Sequence, residues 1–348
     1  MRVDDLDRFL FIVGAPRCGT TTLSRWLKDH PSVAFPVIKE PHYFAQNDLR
    51  PLKTAELKQR VEADYLRRFF RPDADRRIGA DGSVTYLYAP EQLEPILDMW
   101  PDSRFVIALR DPLEMLPSLH RRLVYVGLEN ISSFAKAWAA SPDRASGRRL
   151  PRNCLDARLL RYDEAGRYSH YLKRLFAAVG RERCLVVLFD DLSADPAEQY
   201  RRLTDFGDLE PQSGVDLSPR RPGQSVRLQW LQRVLKQPPK IFREQLAEKA
   251  LREIRASHDE RRPSAPNGLL SLRKQLLRWN RVSRPSEGLP LTLQWEIRRQ
   301  FQDDIEELGN LLDRDLTHWL QPRLQDVRGE ASTSDVRAVS SRRRAAAV

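Results

Sequence analysis

Five consecutive apolar residues, Phe9-Leu-Phe-Ile-Val13, stop at Gly14, and a glycine-bounded loop, Gly14-Ala-Pro-Arg-Cys-Gly19, separates them from Thr20-Thr-Thr-Leu-Ser-Arg-Trp-Leu-Lys28. The apolar run reads as a buried strand, and the apolar spacing after the loop is helical. The order is strand, loop, helix. A helix that starts there aims its first unpaired N–H groups at the loop, where an anion, phosphate above all, is the natural occupant.

The alternation recurs. Arg104-Phe-Val-Ile-Ala-Leu109 is a second strand; it ends at Arg110-Asp-Pro112 and leads into a helix over Leu113 to Val126 with proline near its first turn. Cys184-Leu-Val-Val-Leu-Phe189 is a third, preceded by a helical segment from Tyr168 to Val179 and followed by a helix opening near Pro196. Apolar strands alternating with helices predict an α/β fold whose parallel sheet is covered on both faces. From about Gln224 the strand signals cease, and Leu228 to Leu235, Ile241 to Ile254 and Leu291 to Leu312 read as helices joined by Pro/Ser-rich loops near 261–266 and 284–289. With 348 residues, 41% of them hydrophobic, the chain can build a real core. The expected division is a core with the anion site over 1–210, a helical C-terminal part of the same domain or lid over 211–322, and a disordered basic tail over 323–348, where Arg342, Arg343 and Arg344 stand among alanine and serine.

The formal net charge of +11 is carried more by arginine than by lysine, which favours anionic partners because guanidinium forks match phosphate and sulfate oxygens. Charge alone leaves a nucleotide, a polyanionic glycan, nucleic acid and an acidic membrane open. Cys18, Cys154 and Cys184 are scattered without a CxxC or Cys/His grouping, so neither a disulfide framework nor a zinc site is expected. Acids interrupt the first eight residues, and the run from Phe9 is too short for a secretory or membrane-spanning segment. A cytoplasmic protein is expected, with peripheral membrane contact and oligomeric state left open.

The glycine loop has the spacing of a Walker phosphate loop, but Thr20 stands where the lysine belongs and Arg17 is the loop's cation. After the first helix, Val37-Ile-Lys-Glu-Pro-His-Tyr-Phe44 sets Lys39, Glu40 and His42 beside two aromatics, a grouping suited to proton transfer. Arg110 ends a strand where ligands of open α/β sheets collect, and Ser118 follows on the next helix, so both can reach one anion. With the Gly14 loop, that makes two phosphate sites.

These motifs resemble those of the sulfotransferases that use 3'-phosphoadenosine 5'-phosphosulfate (PAPS), in their bacterial and heparan sulfate sulfotransferase-like branch. The resemblance continues through Gly79-Ala-Asp-Gly-Ser-Val-Thr-Tyr-Leu-Tyr88, Gly166-Arg-Tyr168, Leu188 to Leu192, Asp303 to Leu308 and Leu316 to Trp319. It implies a P-loop-type three-layer fold with a central parallel sheet and a helical C-terminal extension. It assigns Arg17, Cys18, Gly19, Thr20, Thr21 and Thr22 to the 5'-phosphosulfate, and Arg110 with Ser118 to the 3'-phosphate. Glu40 becomes the general base, with His42 as the alternative, and Arg17 and Lys39 become the cations near the leaving group. The implied reaction is metal-independent sulfuryl transfer to a hydroxyl or amine; the resemblance leans towards a carbohydrate or glycolipid acceptor, a peptide tyrosine or a small metabolite stays open, and no nucleic acid is expected.

Three features depart from the pattern. Arg17 replaces the usual lysine, Gly82 stands where the heparan branch carries a lysine, and no Lys-Gly-x-x-Arg loop follows Leu209. Arg227, in Gly223-Gln-Ser-Val-Arg-Leu-Gln229, is the substitute for that basic loop and reads equally as a helix-surface arginine. Two other functions stay open. An ATP-dependent P-loop phosphotransferase meets the objection of the missing Walker lysine. A noncatalytic polyanion-binding protein would use the charge but leave the ordered Gly14, Glu40 and Arg110 series unexplained.

Overall fold

Nothing on the run from Phe9 to Val13 needs water, and all five side chains are fully buried. They form β1, Arg8–Gly14, at the centre of a sheet. The computed structural model describes residues 1–71, 76–152, 154, 156–218, 225–236, 268–282 and 288–322. The expected helix over 241–254, the loop over 261–266, residues 284–287 and the basic tail lie outside the described residues.

The other strands of the sheet are β2 (Val33–Ala34), β3 (Ile78–Asp81), β4 (Arg104–Leu109) and β5 (Cys184–Leu188), in the order β2-β3-β1-β4-β5. Every pairing is parallel; Leu10 lies opposite Ala80 on one side of β1, and Phe11 opposite Phe105 on the other. Helices cover both faces, which is why the strands carry apolar residues without polar alternation. Phe9 and Phe11 stack at 5.1 Å between centroids, Phe11 stacks on Phe105 at 5.6 Å, and Phe9 lies against Trp100 at 4.4 Å. β3 makes room for this aromatic layer: a Cβ at Gly79 would stand 2.4 Å from the Phe9 ring.

Seven helices matter for the site and its surroundings: α1 (Thr20–Asp29), α2 (Pro112–Val126), α3 (Tyr168–Val179), α4 (Pro196–Phe206), α5 (Gln229–Lys236), α6 (Gly268–Trp279) and α7 (Leu291–Leu312). Asp111 caps α2 by accepting from the Leu113 amide at 2.9 Å, and Pro112 fills the first helical position. The same carboxylate, buried, takes both ends of the buried Arg298 fork, one at 2.7 Å, and so clamps α7 to the start of α2. Ile297, Phe301, Ile305 and Leu308 of α7 pack into the core that contains the sheet. Among the described residues no helix is long and apolar enough to cross a membrane.

The expectation that strands cease after Gln224 needs correction. Ser225–Val226 (β6) and Arg281–Val282 (β7) pair antiparallel as a separate two-stranded ribbon, too short to show a period in the sequence. In the main sheet the chain runs from β1 to β2 and β3 on one side, then to β4 and β5 on the other. The strand order therefore switches beside β1 and opens a crevice at the C-terminal ends of β1 and its neighbours.

Candidate active site

Each candidate segment leaves that edge of the sheet. The Gly14 loop follows β1, residues 82–88 follow β3, Arg110 follows β4 and Phe189 follows β5. Gly19 precedes α1 with a left-handed φ of 93°, and a Cβ there would meet Leu192 at 2.5 Å, so only glycine fits both demands. Arg17 is also left-handed, at 67°, an uncommon state for a bulky residue that clusters at functional sites. Its Nε donates to Ser118 Oγ at 3.0 Å, joining the two expected phosphate sites. Thr20 is buried, Thr22 half-buried and Thr21 exposed at the mouth of α1.

Cys18 lies buried beneath the loop, with the Pro16 carbonyl 3.4 Å and the Tyr168 hydroxyl 3.8 Å from its sulfur. Burial pushes its thiol up to about 12, which makes it a packing residue and not a nucleophile. The Tyr168 hydroxyl donates to the Arg110 carbonyl at 2.9 Å and so fastens the underside of the loop to the end of β4.

The Arg110 guanidinium lies 4.2 Å from the Phe189 ring centroid and is held by Glu114, which accepts from Nε at 2.6 Å and also pairs with Nη2. Its sequence neighbour Asp111 points into the core instead. Burial lowers the pKa of Arg110. Burial also lowers that of Arg17, and the neighbouring charges of Arg122, Arg121 and Arg110 lower it further. Cations gathered this closely form a positive field that an anion relieves.

Glu40 pairs with Lys39 through Oε1, and its Oε2 lies 3.5 Å from His42 Nε2. Burial works to raise its pKa, but the His42 hydrogen bond and the Lys39 charge outweigh burial and bring it to about 2. His42 is left-handed, with φ 56°, and is seated from below. Its Nδ1 lies 2.8 Å from Thr85 Oγ1 and its amide donates to Ser83 Oγ at 2.9 Å. Ser83 in turn donates to Asp81 at 2.7 Å, and the Tyr65 and Tyr86 hydroxyls both donate to the other Asp81 oxygen at 2.8 Å. Asp81 is buried, and burial raises its pKa against those three hydrogen bonds. The Val84 carbonyl would lie 3.0 Å from a Cβ on Gly14, so the segment that seats His42 also abuts the phosphate loop. A Cβ on Gly82 would stand 2.4 Å from Ser24 Oγ, which occupies the start of the path a lysine would take.

The structure thus places Arg17, Gly19, Thr20, Thr21, Thr22 and Arg110 beyond the C-terminal ends of β1 and β4, with Ser118 joined to Arg17, Cys18 buried beneath the loop, and Lys39, Glu40 and His42 on the segment seated by Ser83 and Thr85. Arg227 immediately follows β6 of the separate ribbon, exposed, its guanidinium 5.4 Å from the Trp279 ring. Glu114, Phe189, Ser83, Thr85 and Asp81 were not singled out in the sequence. Asp81, Ser83, Thr85 and Phe189 lie inside the segments 79–88 and 188–192 that carry the resemblance, and Glu114 shows as an acid four residues after Arg110.

The model of the sulfotransferase family matches residues 10–82 and 65–213. The chain belongs to the sulfotransferase family. The matched stretches exceed half of its length and include the Gly14 loop, Glu40, Arg110 and Ser118. The fold is that of a sulfotransferase from Alicyclobacillus acidocaldarius, 23% identical with a TM-score of 0.58 over 90% of this chain and 98% of that one. Mouse sulfotransferase SULT7A1 complexed with PAP is similar at 12% identity and a TM-score of 0.39, over 89% of this chain and 88% of that one. No curated protein sequence matches. In this sulfotransferase the central parallel sheet and flanking helices expected from the strand pattern are present, with the crevice beside β1 where the loop motif put it.

Proposed function

We propose that the protein moves a sulfuryl group from PAPS to a hydroxyl or amine of a carbohydrate or glycolipid, with Glu40 as general base. The observation that carries the reading is the Arg17–Ser118 hydrogen bond, in which one residue from each expected phosphate site meets the other. A nucleotide phosphorylated at both its 5' and 3' positions suits such a pair; ATP offers nothing for the second.

In the reaction, the acceptor atom forms its bond to sulfur as the sulfur–oxygen bond to the 5'-phosphate breaks. The acceptor proton passes to Glu40 and 3'-phosphoadenosine 5'-phosphate (PAP) leaves. The α1 N-terminus and Arg17 stabilise the charge that grows on the leaving phosphate. At about 2, where burial is outweighed by the His42 hydrogen bond and the Lys39 charge, the resting Glu40 is ionised but weakly basic. A phosphosulfate that draws Lys39 to itself strips Glu40 of a counter-charge and raises its basicity when the acceptor needs it.

The test is transfer of labelled sulfate from PAPS to panels of glycans, glycolipids and phenols, with Arg17→Ala and Glu40→Gln alongside. Sulfation of glycans or glycolipids that both substitutions abolish is the expected result. Product from phenols alone overturns the acceptor class, and near-normal turnover of Glu40→Gln overturns the base. ATP binding as tightly as PAP overturns the donor.

A further inference from the structure

Helix α5 is built inside out. Its polar side chains face the protein: Gln232, 1% exposed, donates to the Tyr125 carbonyl at 2.7 Å, and Gln229 donates to the Glu129 carbonyl at 3.2 Å. Two of its apolar side chains face solvent, Trp230 65% and Val234 64% exposed, one turn apart on the opposite side of the helix, while Leu231 and Leu235 are half-buried. Asn280, fully buried, ties this helix to the end of α6 by accepting from the Leu228 amide at 2.8 Å and donating to the Leu228 carbonyl and Gln232 Oε1 at 3.0 and 3.1 Å. That junction brings exposed Leu228 and Trp279 to the same tip.

The described residues of this unit carry one sign of charge. Residues 225–236 and 268–282 contain seven lysines and arginines and not one acid. Behind the tip, Arg122 and Lys236 each lie 5.7 Å from the Tyr125 ring centroid, and Arg281 donates to the Tyr125 hydroxyl at 3.3 Å. Burial and the charges of Arg122, Arg273 and Arg281 lower the pKa of Lys236.

We propose that the α5–α6 unit docks on the surface of an anionic lipid bilayer, inserting Trp230, Val234, Leu228 and Trp279 at headgroup depth while its arginines and lysines meet the lipid phosphates. Exposed tryptophans on a basic amphipathic surface match the membrane interface in both chemistry and layout. A second copy of the chain is a poor occupant, because a self-complementary contact sets seven positive charges against seven. A soluble polyanion would use the charges but has no use for Val234 and Leu228. Tyr125 lies on the same helix as Ser118, seven residues on, ~10 Å along the axis. A docked protein therefore holds its crevice near the lipid headgroups. The inference does not depend on the donor assignment.

The experiment is flotation of the full chain with vesicles of phosphatidylcholine alone and of phosphatidylcholine mixed with phosphatidylserine. Binding to the mixed vesicles only is expected, weakened by salt. Arg233→Ala and Arg278→Ala should each reduce it about fivefold. Trp230→Ser with Val234→Ser should remove most of it while PAP affinity, measured without vesicles, stays unchanged. Quenching of tryptophan fluorescence by brominated lipid should fall in the Trp230→Ser and Trp279→Ser variants. No binding to the mixed vesicles overturns the proposal, as does binding that survives the double substitution. Loss of a heparin or nucleic-acid complex in its place assigns the face to a soluble polyanion. A dimer in sedimentation that Trp230→Ser dissociates assigns it to a second copy.

Discussion

Replacing Glu114 by glutamine should make the protein bind PAP more tightly. The Arg110–Glu114 pair is largely shielded from water, with side chains 23% and 16% exposed. At an effective dielectric constant near ~20, two charges ~4 Å apart attract by about 4 kcal/mol. Desolvation and lost side-chain freedom cancel much of this and leave ~1–2 kcal/mol. A 3'-phosphate arriving at Arg110 must share the cation with that carboxylate and lie beside its charge. Glutamine removes the charge and keeps the shape, and the Phe189 ring, 4.2 Å away, still holds the guanidinium in place. The Kd for PAP should therefore fall ~5- to 30-fold in isothermal titration calorimetry at fixed salt. Adenosine 5'-monophosphate, with no 3'-phosphate, should change by less than ~2-fold. Weaker PAP binding would mean that Glu114 positions Arg110 and does not compete for it. An equal gain for both nucleotides would mean a general field effect and no 3'-phosphate contact at Arg110.

Three further outcomes are expected. Glu40→Gln should lower kcat by ~10²–10⁴ while leaving PAP affinity intact, as titration and steady-state kinetics together will show. Because burial, His42 and Lys39 leave Glu40 at about 2 when folded, against an ordinary 4.5, its contribution to stability is complete above pH 4.5 and is lost as pH falls through about 2. The gap in unfolding free energy between the wild type and Glu40→Gln should follow that curve; a gap that widens on acidification contradicts it. Arg298→Met removes the counter-charge from the buried Asp111 carboxylate and should cost ~3–5 kcal/mol in denaturant unfolding, whereas a loss below ~1 kcal/mol would show that the clamp on α7 is not needed.

β1, β4 and β5 were legible because buried parallel strands show as unbroken apolar runs, and α3 and α7 because their apolar residues keep a helical period. β3 was not recognised as a strand. Its Ile-Gly-Ala-Asp sequence looks unlike one because Gly79 is small for the sake of Phe9, a neighbour seventy residues away in the chain. β2, β6 and β7, two residues each, carry no period at all. In the site, the loop and the Arg110–Ser118 segment stood out because short local patterns carry them, and the structure joins the two through the Arg17–Ser118 hydrogen bond. The seat beneath His42 was not, because Asp81, Ser83, Thr85 and Tyr65 come from segments whose meeting depends on the sheet order. The Asp111–Arg298 clamp spans 187 positions and leaves no local signal in either segment.

The Arg17–Ser118 hydrogen bond spans the space between the two proposed phosphate sites. A ligand that opens this bond to claim Arg17 alone leaves Ser118 bereft, and one that claims Ser118 alone strands a half-buried guanidinium. Either recovers only part of what it disrupts. A ligand phosphorylated at both ends replaces both halves in one event. Under the proposed donor assignment the bond would work as a coincidence detector: two inputs must arrive together, and the penalty for a lone input is set by the protein, independent of how well that single phosphate is bound.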